Sequence, residues 1–421
     1  MKILKQFALV YFSLLLLFTI LIVAVHFIPR AAIRDNVIKS TQTIQEEGLY
    51  HKILNFKLFQ LDNYTDAIML NEAISGDSKK PIESALKNNW NKSKKYFELV
   101  NDTQDFANGN FSNLQTHMYG RYWHGYLVTL KPLLVFFDYS NIRIINFILL
   151  FSLFIWCLYE VYQKLGIKIM IFFILSFLSI NFFIIPLSLQ FSSVFYITLI
   201  SIILILRRSE NSVGNNWIFL LFFAIGGLTA FFDLLTAPLI ALSLPVVIYF
   251  LKYKNQNTFQ NLIYISISWG IGYGLLWASK WGIGILLTGD DFMSTVLYQI
   301  GQRTNLNVYK EMEMTLPNII YFLFYYLRKY NLIFMFWLSI SIALTALVSY
   351  FYFLKSKIVF YKNITFLLIV LMFPVWAIIL KYHTIQHGWY TWRSIIGMVF
   401  SFLIFIDNTV DWSKFKRLMR K

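Results

Sequence analysis

Long apolar runs recur from one end of the chain to the other, and they constrain its fold more than any other feature. Runs of roughly 17–25 apolar residues are long enough to cross a bilayer as helices. The 421-residue chain is 58% hydrophobic and only 14% charged, and a soluble fold cannot hide so much apolar surface from water. We therefore predict an all-α polytopic membrane protein with about ten transmembrane helices and a large, partly helical first extracytoplasmic loop. The predicted spans cover residues 7–28, 143–162, 168–187, 191–206, 217–232, 235–251, 262–279, 331–354, 363–380 and 394–408.

The formal net charge of +16 indicates membrane topology rather than nucleic-acid binding. Between residues 30 and 122 the chain has 12 Lys and Arg against 11 Asp and Glu, so this segment is nearly neutral. The basic excess lies in short connections, which the positive-inside rule places in the cytoplasm. We therefore expect a multi-pass protein of the cell membrane with both termini cytoplasmic. The basic connections contain Lys2, Lys5, Lys164, Lys168, Arg207, Arg208, Lys252, Lys254, Lys355, Lys357, Lys362, Lys414, Lys416, Arg417, Arg420 and Lys421.

The spans and their connections divide the chain into six parts. The first apolar run is too long for a signal peptide and lacks a small-residue cleavage site, so it is predicted to be an uncleaved anchor. Two aromatic segments, 124–137 and 316–327, are predicted to be interfacial helices, because Tyr and Trp favour the headgroup zone. The parts are 1–29 (first transmembrane helix), 30–142 (extracytoplasmic loop), 143–279 (transmembrane helices 2–7), 280–330 (second extracytoplasmic loop), 331–408 (transmembrane helices 8–10) and 409–421 (basic cytoplasmic tail).

Two carboxylates in the first loop are candidates for catalysis. Asp62 and Asp66 are four residues apart, so they share one face if the segment is helical. They lie in an apolar setting that contains Leu61, Ile68 and Met69. Transfer of a sugar to a hydroxyl needs a carboxylate that accepts the proton of the acceptor. We predict that Asp62 is this base and Asp66 a supporting group; the alternative is that both are solvated loop acids.

All six histidines fall on the predicted extracytoplasmic side or its membrane edge. Two of them, His383 and His387, precede an aromatic and basic run that ends at Arg393. Their spacing suits zinc, but no third ligand is evident, so no metal site is predicted. A cationic, aromatic rim that binds phosphate and stacks on sugar rings is the favoured interpretation. The alternative is an aromatic belt with snorkelling cations.

Two further charged residues lie at or near membrane depth. Arg143 stands at the mouth of the second span, where it either binds a lipid-linked phosphate or snorkels to the headgroups. Asp233 lies where the fifth predicted span turns into the sixth. A carboxylate at that depth is costly, so it is a candidate for a functional site. Thr229, Thr236 and the helix end before Pro238 offer it structural partners instead.

Several motifs resemble those of GT-C glycosyltransferases. These are Asp62-Asn63-Tyr64 early in the loop, His124-Gly125-Tyr126, Lys131-Pro132-Leu133-Leu134, and Asp138-Tyr139-Ser140-Asn141-Ile142-Arg143 before the second span. The resemblance covers the layout of residues 1–250. It implies a catalytic Asp in the first loop and substrate contacts for His124, Lys131 and Arg143. Asn63 stands where the family commonly has Glu, and Gly125-Tyr126 replaces the family's prolines.

The absence of several motifs narrows the range of possible functions further. No Gly-x-Gly-x-x-Gly, P-loop or cytoplasmic Asp-x-Asp occurs, which disfavours nucleotide-dependent pumps and transferases. One cysteine, Cys157, excludes disulfides and iron–sulfur clusters within a single chain. We predict a glycosyltransferase that moves a sugar to a glycan, teichoic acid or lipid-linked saccharide. The sugar donor is a polyprenyl-phosphate carrier that lies among the membrane lipid. No cofactor is predicted, and a divalent cation is not evident. The alternatives are a flippase or exporter, or a polymerase or ligase, of lipid-linked glycans.

Overall fold

The computed structural model describes residues 2–94, 98–209, 216–304 and 354–418, together with positions 317, 321 and 325. The predicted span 331–354, apart from Leu354, lies outside these residues. So does the interfacial helix predicted over 316–327, apart from those three positions.

Helices make up nearly all of the regular structure in the described residues. The first half of the chain contains α1 (Lys2–His26), α2 (Arg30–Glu47), α3 (Asn63–Ser75), α4 (Pro81–Lys87), α5 (Leu99–Asn108), α6 (Leu127–Leu134), α7 (Tyr139–Leu165), α8 (Ile167–Leu178) and α9 (Leu189–Arg207). The second half contains α10 (Trp217–Phe232), α11 (Ile240–Lys252), α12 (Phe259–Thr288), α13 (Phe292–Thr304), α14 (Lys357–Lys362), α15 (Ile364–Val370), α16 (Met372–Ile379), α17 (Lys381–Gln386), α18 (Gly388–Thr391), α19 (Ile395–Thr409) and α20 (Trp412–Leu418).

Five stretches of helix are long and apolar enough to cross a membrane within the described part of the chain. They are Lys2–His26, Tyr139–Leu165, Leu189–Arg207, Phe259–Thr288 and Gly388–Thr409, and four shorter apolar helices accompany them. The predicted class, an all-α membrane-embedded protein, is therefore confirmed. The number of spans and the orientation of the termini stay predictions.

Three predicted span boundaries differ from the observed helices. The helix that contains the predicted span 262–279 continues to Thr288, so the loop predicted from residue 280 begins inside α12. The span predicted over 168–187 is an α-helix only as far as Leu178, and a 3₁₀ turn follows from Phe182 to Leu187. This turn contains Pro186, which has no N–H to donate to a helix. The span predicted from residue 235 begins as a helix only at Ile240, because Leu235 adopts a left-handed backbone.

The closest helix pair in the bundle is α10 with α12, and glycines permit the contact. A Cβ on Gly226 would lie 2.1 Å from the Trp269 carbonyl oxygen, and one on Gly272 would lie 2.0 Å from that of Phe223. Small residues allow helix backbones to approach this closely in membrane proteins. The crossing therefore fixes α12, whose far end carries residues that support the site.

Residues 30–138 form a separate layer at one end of the bundle, which we call the inserted domain. It contains α2 to α6 and an antiparallel strand pair of β1 (Trp90–Ser93) and β2 (Leu114–His117), which the sequence analysis did not predict. Asn71 of α3 connects this helix to β1 and α5. Its amide nitrogen donates to Asn91 O and Thr103 Oγ1, both at 2.9 Å. Its amide oxygen accepts from Asn91 N at 2.8 Å.

Side-chain contacts fix the inserted domain on the membrane helices. Trp123 Nε1 donates to the Leu276 carbonyl of α12 at 2.7 Å. Asp66 accepts from the first backbone N–H groups of α9. Both contacts are buried, so they position α3 and the segment before α6 against the bundle.

Candidate functional site

A cavity of about 660 Å³ lies between the inserted domain and the bundle. Its walls come from α3, the segment 117–122, the start of α9, α13 and the stretch from α17 to α18. Its described lining residues include two arginines, three histidines and eight Tyr or Trp, and none of them is acidic. Such a lining suits a ligand that has both an anionic group and flat, partly apolar faces.

Asp62 lies directly behind this lining and caps the N-terminus of α3. Its Oδ1 accepts from the backbone N–H of Thr65 at 3.1 Å, and its side chain is fully buried. Among the described residues no hydrogen bond reaches Oδ2, although the Thr65 side chain is close enough to the carboxyl to lower its pKa. Burial raises the pKa of Asp62 to about 7, and the charge of Asp66 adds to the rise. The carboxylate therefore has a free oxygen and a pKa suited to a general base.

Aromatic residues surround this carboxylate at the cavity wall. Burial and the charge of Asp62 together raise the pKa of Tyr50 to about 12, and the same two causes raise the pKa of Tyr64. The rings of Tyr50 and Tyr64 stack with centroids 6.1 Å apart, and Trp389 meets Tyr50 edge to face at 5.5 Å. All three line the cavity. They form an aromatic platform (Tyr50, Tyr64 and Trp389) next to Asp62.

Asp66, in contrast, is fully hydrogen-bonded and holds two helices together. Its Oδ2 accepts from Tyr139 Oη at 2.6 Å and Leu189 N at 3.0 Å, and its Oδ1 accepts from Gln190 N at 3.0 Å. A carboxylate at a helix N-terminus satisfies N–H groups that have no partner within the helix. The geometry therefore assigns Asp66 to the attachment of α3 to α9.

Arg143 is engaged by a carboxylate and does not line the cavity. It makes a bidentate pair with Glu47, at 2.8 and 3.0 Å, and a third contact of 3.2 Å with Asn63 Oδ1. Burial alone would raise the pKa of Glu47, but the hydrogen bonds and charge of Arg143 lower it. The pair links α2 to α7 at the base of the inserted domain.

Arg393 lies close to Asp62 rather than at the cavity surface. Its guanidinium carbon sits 4.1 Å from the ring centroid of Phe191, its side chain is buried, and its charge acts on Asp62. Arg143 and Arg393, each of which the sequence suggested as a phosphate-binding residue, are thus placed beside two different carboxylates.

His383 and His387 lie together at the cavity. His383 Nε2 faces the Leu235 carbonyl oxygen at 3.0 Å and therefore donates to it, so its Nδ1 is left to accept from Arg303 at 3.0 Å. Burial and the charge of Arg303 lower the pKa of His383, and burial with both cavity arginines lowers that of His387 to about 3. Both imidazoles are neutral at physiological pH. In the described part of the chain no third His, Cys, Asp or Glu joins them as a metal ligand.

Two arginines on the cavity wall were missed by the sequence analysis. Arg303 also donates to Tyr122 Oη at 2.8 Å. Arg121 lies over the ring of Tyr119 at 4.1 Å, while its carbonyl accepts from Trp277 and Trp281 of α12 at 2.5 and 2.9 Å. Both are therefore held in fixed positions. The sequence pattern that could have identified Arg303 is the polar face that it shares on α13 with Tyr298, Gln299 and Gln302.

Gln190 is another cavity residue that the sequence analysis missed, and Asp233 positions it. Asp233 Oδ2 accepts from the Thr236 N–H at 3.0 Å, and Thr236 Oγ1 accepts from Gln190 Nε2 at 3.0 Å. The other amide atom of Gln190, Oε1, is buried without a hydrogen-bond partner among the described residues. Asp233 thus shapes the turn after α10, and that turn orients a cavity amide.

His124 and Lys131 do not line the cavity. His124 Nδ1 lies 2.9 Å from Glu72 and 3.0 Å from Tyr126 Oη, and its Nε2 lies 2.8 Å from the Tyr119 carbonyl. It therefore supports the cavity segment 117–122 from behind. Lys131 is buried elsewhere, beside Gly76 and near His26.

No protein-family model, no curated protein and no solved structure matches this chain. Its class therefore follows from its own fold: an α-helical, membrane-embedded protein whose inserted domain covers a polar, cation-lined cavity.

Proposed function

We propose that this protein is a GT-C-type membrane glycosyltransferase. It moves a sugar from a polyprenyl-phosphate carrier to an outward-facing glycan, teichoic acid or lipid-linked saccharide of the cell envelope. The observation that carries the proposal is Asp62, a buried carboxylate whose Oδ2 is free and whose pKa is about 7, behind a cavity lined by arginines. Base and cations lie at one cavity, and sugar transfer from a phosphate needs both.

In the proposed reaction, Asp62 accepts the proton of the acceptor hydroxyl. The oxygen of that hydroxyl forms a bond to the anomeric carbon while the bond from this carbon to the carrier's phosphate oxygen breaks. The electron pair of the broken bond leaves on the phosphate. A general base of this kind contributes about 10²–10⁴ to the rate.

Arg121 and Arg303 stabilise the phosphate as its negative charge develops. Charge-assisted hydrogen bonds from guanidinium groups are strong, and a site that excludes water strengthens them further. The Arg303 side chain is held by Tyr122 and His383. The Arg121 guanidinium lies over the ring of Tyr119, and α12 holds its backbone carbonyl. They take the role that the sequence analysis gave to Arg143 and Arg393.

The aromatic platform supplies the sugar-binding surface in this proposal. Aromatic rings offer large apolar faces against which the C–H faces of a sugar ring pack. Because the platform adjoins Asp62, a saccharide stacked on it brings its hydroxyls toward the carboxylate. Tyr50 is 47% exposed, so rotation of its side chain can admit the acceptor to Oδ2.

Mass spectrometry of envelope glycans tests the proposal. Cells that lack this protein are compared with cells that carry the wild type, Asp62→Asn or Asp77→Asn. Asp77 is an exposed acid of the same inserted domain and serves as the matched control. We expect a glycan that lacks one sugar residue in the deletion strain and in Asp62→Asn, with both membrane proteins inserted at normal levels. Restoration by Asp62→Asn would refute the assignment, and a change only in glycan length or location would indicate a polymerase or a flippase.

A further inference from the structure

Three buried basic residues gather where the inserted domain rests on α1 and α12, away from the cavity. His26 ends α1, Lys131 belongs to α6 and Lys280 to α12. Their exposed fractions are 1%, 1% and 0%. The proposed glycosyl transfer does not use any of them.

The side chains of His26 and Lys131 meet beside Gly76, and Lys280 lies close enough to act electrostatically on His26. A Cβ on Gly76 would lie 2.7 Å from His26 Nδ1 and 3.2 Å from Lys131 Nζ. Lys280 acts electrostatically on His26, and its Nζ donates to the Ala85 carbonyl at 2.6 Å. The turn between α3 and α4 thus forms one wall of the cluster, and α4 accepts the hydrogen bond from Lys280.

These groups have almost no partners. Neither ring nitrogen of His26 has a hydrogen-bond partner among the described residues. In the described part of the chain Lys131 donates no hydrogen bond to the protein. Lys280 donates one, to the Ala85 carbonyl, and its Nζ lies 5.6 Å from the ring centroid of Trp123. The side chains that act electrostatically on His26 are Lys131, Lys280 and His124, and Arg30 acts on Lys131. No carboxylate forms an ion pair with His26, Lys131 or Lys280 in the described part of the chain; the acid Glu72 contacts His124 instead.

Such an arrangement is unfavourable when it is empty. A buried ammonium without acceptors loses its hydration, and a buried positive charge is normally paired. Each unsatisfied buried group in a native protein requires an explanation, such as a bound water or ion. A water satisfies hydrogen bonds, but only an anion also neutralises the cluster.

We propose that His26, Lys131 and Lys280 form a buried binding site for a small anion, either chloride or a phosphate-type oxyanion. The anion bridges α1, α6, α12 and the turn at Gly76. It thereby fastens the inserted domain to the bundle. This site is independent of the catalytic proposal, because none of its residues lines the cavity.

Thermal unfolding of the purified, detergent-solubilised protein tests the site. Chloride and inorganic phosphate are each titrated against gluconate at constant ionic strength. A ligand that binds only the folded state raises the unfolding temperature as its concentration exceeds its dissociation constant. We expect a saturable rise with one of the two anions, and the identity of that anion distinguishes halide from oxyanion.

Three variants locate the effect. Lys131→Met removes a ligand, and Gly76→Ala keeps every charge but places a methyl group between His26 and Lys131. Lys79→Met alters an exposed lysine of the same domain and is the matched control. We expect the anion response to disappear in the first two variants and to persist in the control. Without the anion, Lys131→Met should be at least as stable as the wild type, because an unpaired buried charge has been removed.

Two results would overturn the proposal. One is a wild-type protein that shows no anion-specific rise. The other is an equal rise in the wild type and all three variants, which would be a general salt effect. If Lys131→Met fails to fold, Gly76→Ala and the anomalous signal of bromide in a crystal decide the question. A bromide peak beside Gly76 supports the site. If chloride is the anion that raises the unfolding temperature, the absence of this peak at saturating bromide refutes the site.

Discussion

Replacing Asp62 with Asn should inactivate the protein and yet make it more stable at neutral pH. The pKa of Asp62 is about 7 in the folded protein and 3.8 for an unperturbed carboxyl. At about 1.4 kcal/mol per unit, the difference of about three units corresponds to about 4 kcal/mol. Because the folded pKa is raised, the associated stability is fully present below pH 3.8 and is lost as the pH rises through 7.

Asn at position 62 does not ionise, so the Asp62→Asn variant keeps the stability that the wild type loses as the pH rises. We therefore expect Asp62→Asn to exceed the wild type by about 2 kcal/mol at pH 5 and about 4 kcal/mol at pH 8, and to match it below pH 4. Asn is as good an N-cap as Asp, so the hydrogen bond from the Thr65 N–H persists. Loss of the cap does not complicate the comparison.

Asp66→Asn provides a contrast in the same helix. Burial raises the pKa of Asp66 as well, but hydrogen bonds from Tyr139, Gln190 and Leu189 oppose the rise. Asp66 accepts through both oxygens, from Leu189 N and from Gln190 N. An amide has only one oxygen, so one of these N–H groups faces an NH₂ group instead, and an unsatisfied donor costs about 1–3 kcal/mol. We therefore expect Asp66→Asn to gain less stability at pH 8 than Asp62→Asn does.

The assay is thermal unfolding in detergent at a fixed scan rate, repeated from pH 4 to pH 8, together with glycan transfer in cells. In a transfer assay the wild-type rate should rise about tenfold between pH 6 and pH 8, because the ionised fraction of a base with a pKa near 7 rises from about 0.1 to about 0.9. The reasoning is refuted if Asp62→Asn is less stable than the wild type at pH 8, or if it transfers sugar normally.

Three further outcomes are expected. Arg303→Lys keeps the charge but not the planar fork that contacts Tyr122 and His383, so donor affinity should fall at least tenfold in a titration of polyprenyl phosphate; an unchanged affinity would remove Arg303 from the phosphate site. Gly272→Ala should lower stability by about 1–3 kcal/mol, because its new methyl group clashes with α10. Gly270→Ala meets nothing within 4 Å and should raise stability by about 0.5–1 kcal/mol. Thermal unfolding that ranks the two variants in the other order would contradict the packing. A cysteine at Lys79 should react with an impermeant thiol reagent in intact cells and one at Asn255 should not, and equal labelling would overturn the predicted orientation.

The candidate base could be predicted from the sequence because its setting is local. Asp62 and Asp66 stand four residues apart within an apolar segment, and that segment does form α3. Their different roles could not be predicted. Asp66 is satisfied by α9, more than 120 residues away in the chain, and no local pattern records that contact. Asp62 is distinguished only by the absence of such a partner.

The contacts of the arginines likewise combine a local position that the sequence predicts with distant partners that it does not. Arg143 stands at the mouth of a long apolar helix, as predicted, but its pairing with Glu47 joins positions 96 residues apart. Arg121 and Arg303 line one cavity although 182 positions separate them in the sequence. The sequence contained both residues, yet it gave no measure of their proximity.

The sequence by itself determined that this is a helical membrane protein with a polar domain inserted after the first apolar helix. Hydropathy and charge are sums over neighbouring residues, so a window along the chain suffices to read them. Only the tertiary structure decided that Asp62 rather than Asp66 keeps a free oxygen, which arginines face the cavity and which basic residues are buried together. Those properties depend on contacts between distant segments, because the energy of a buried charge is set by the groups that surround it in space.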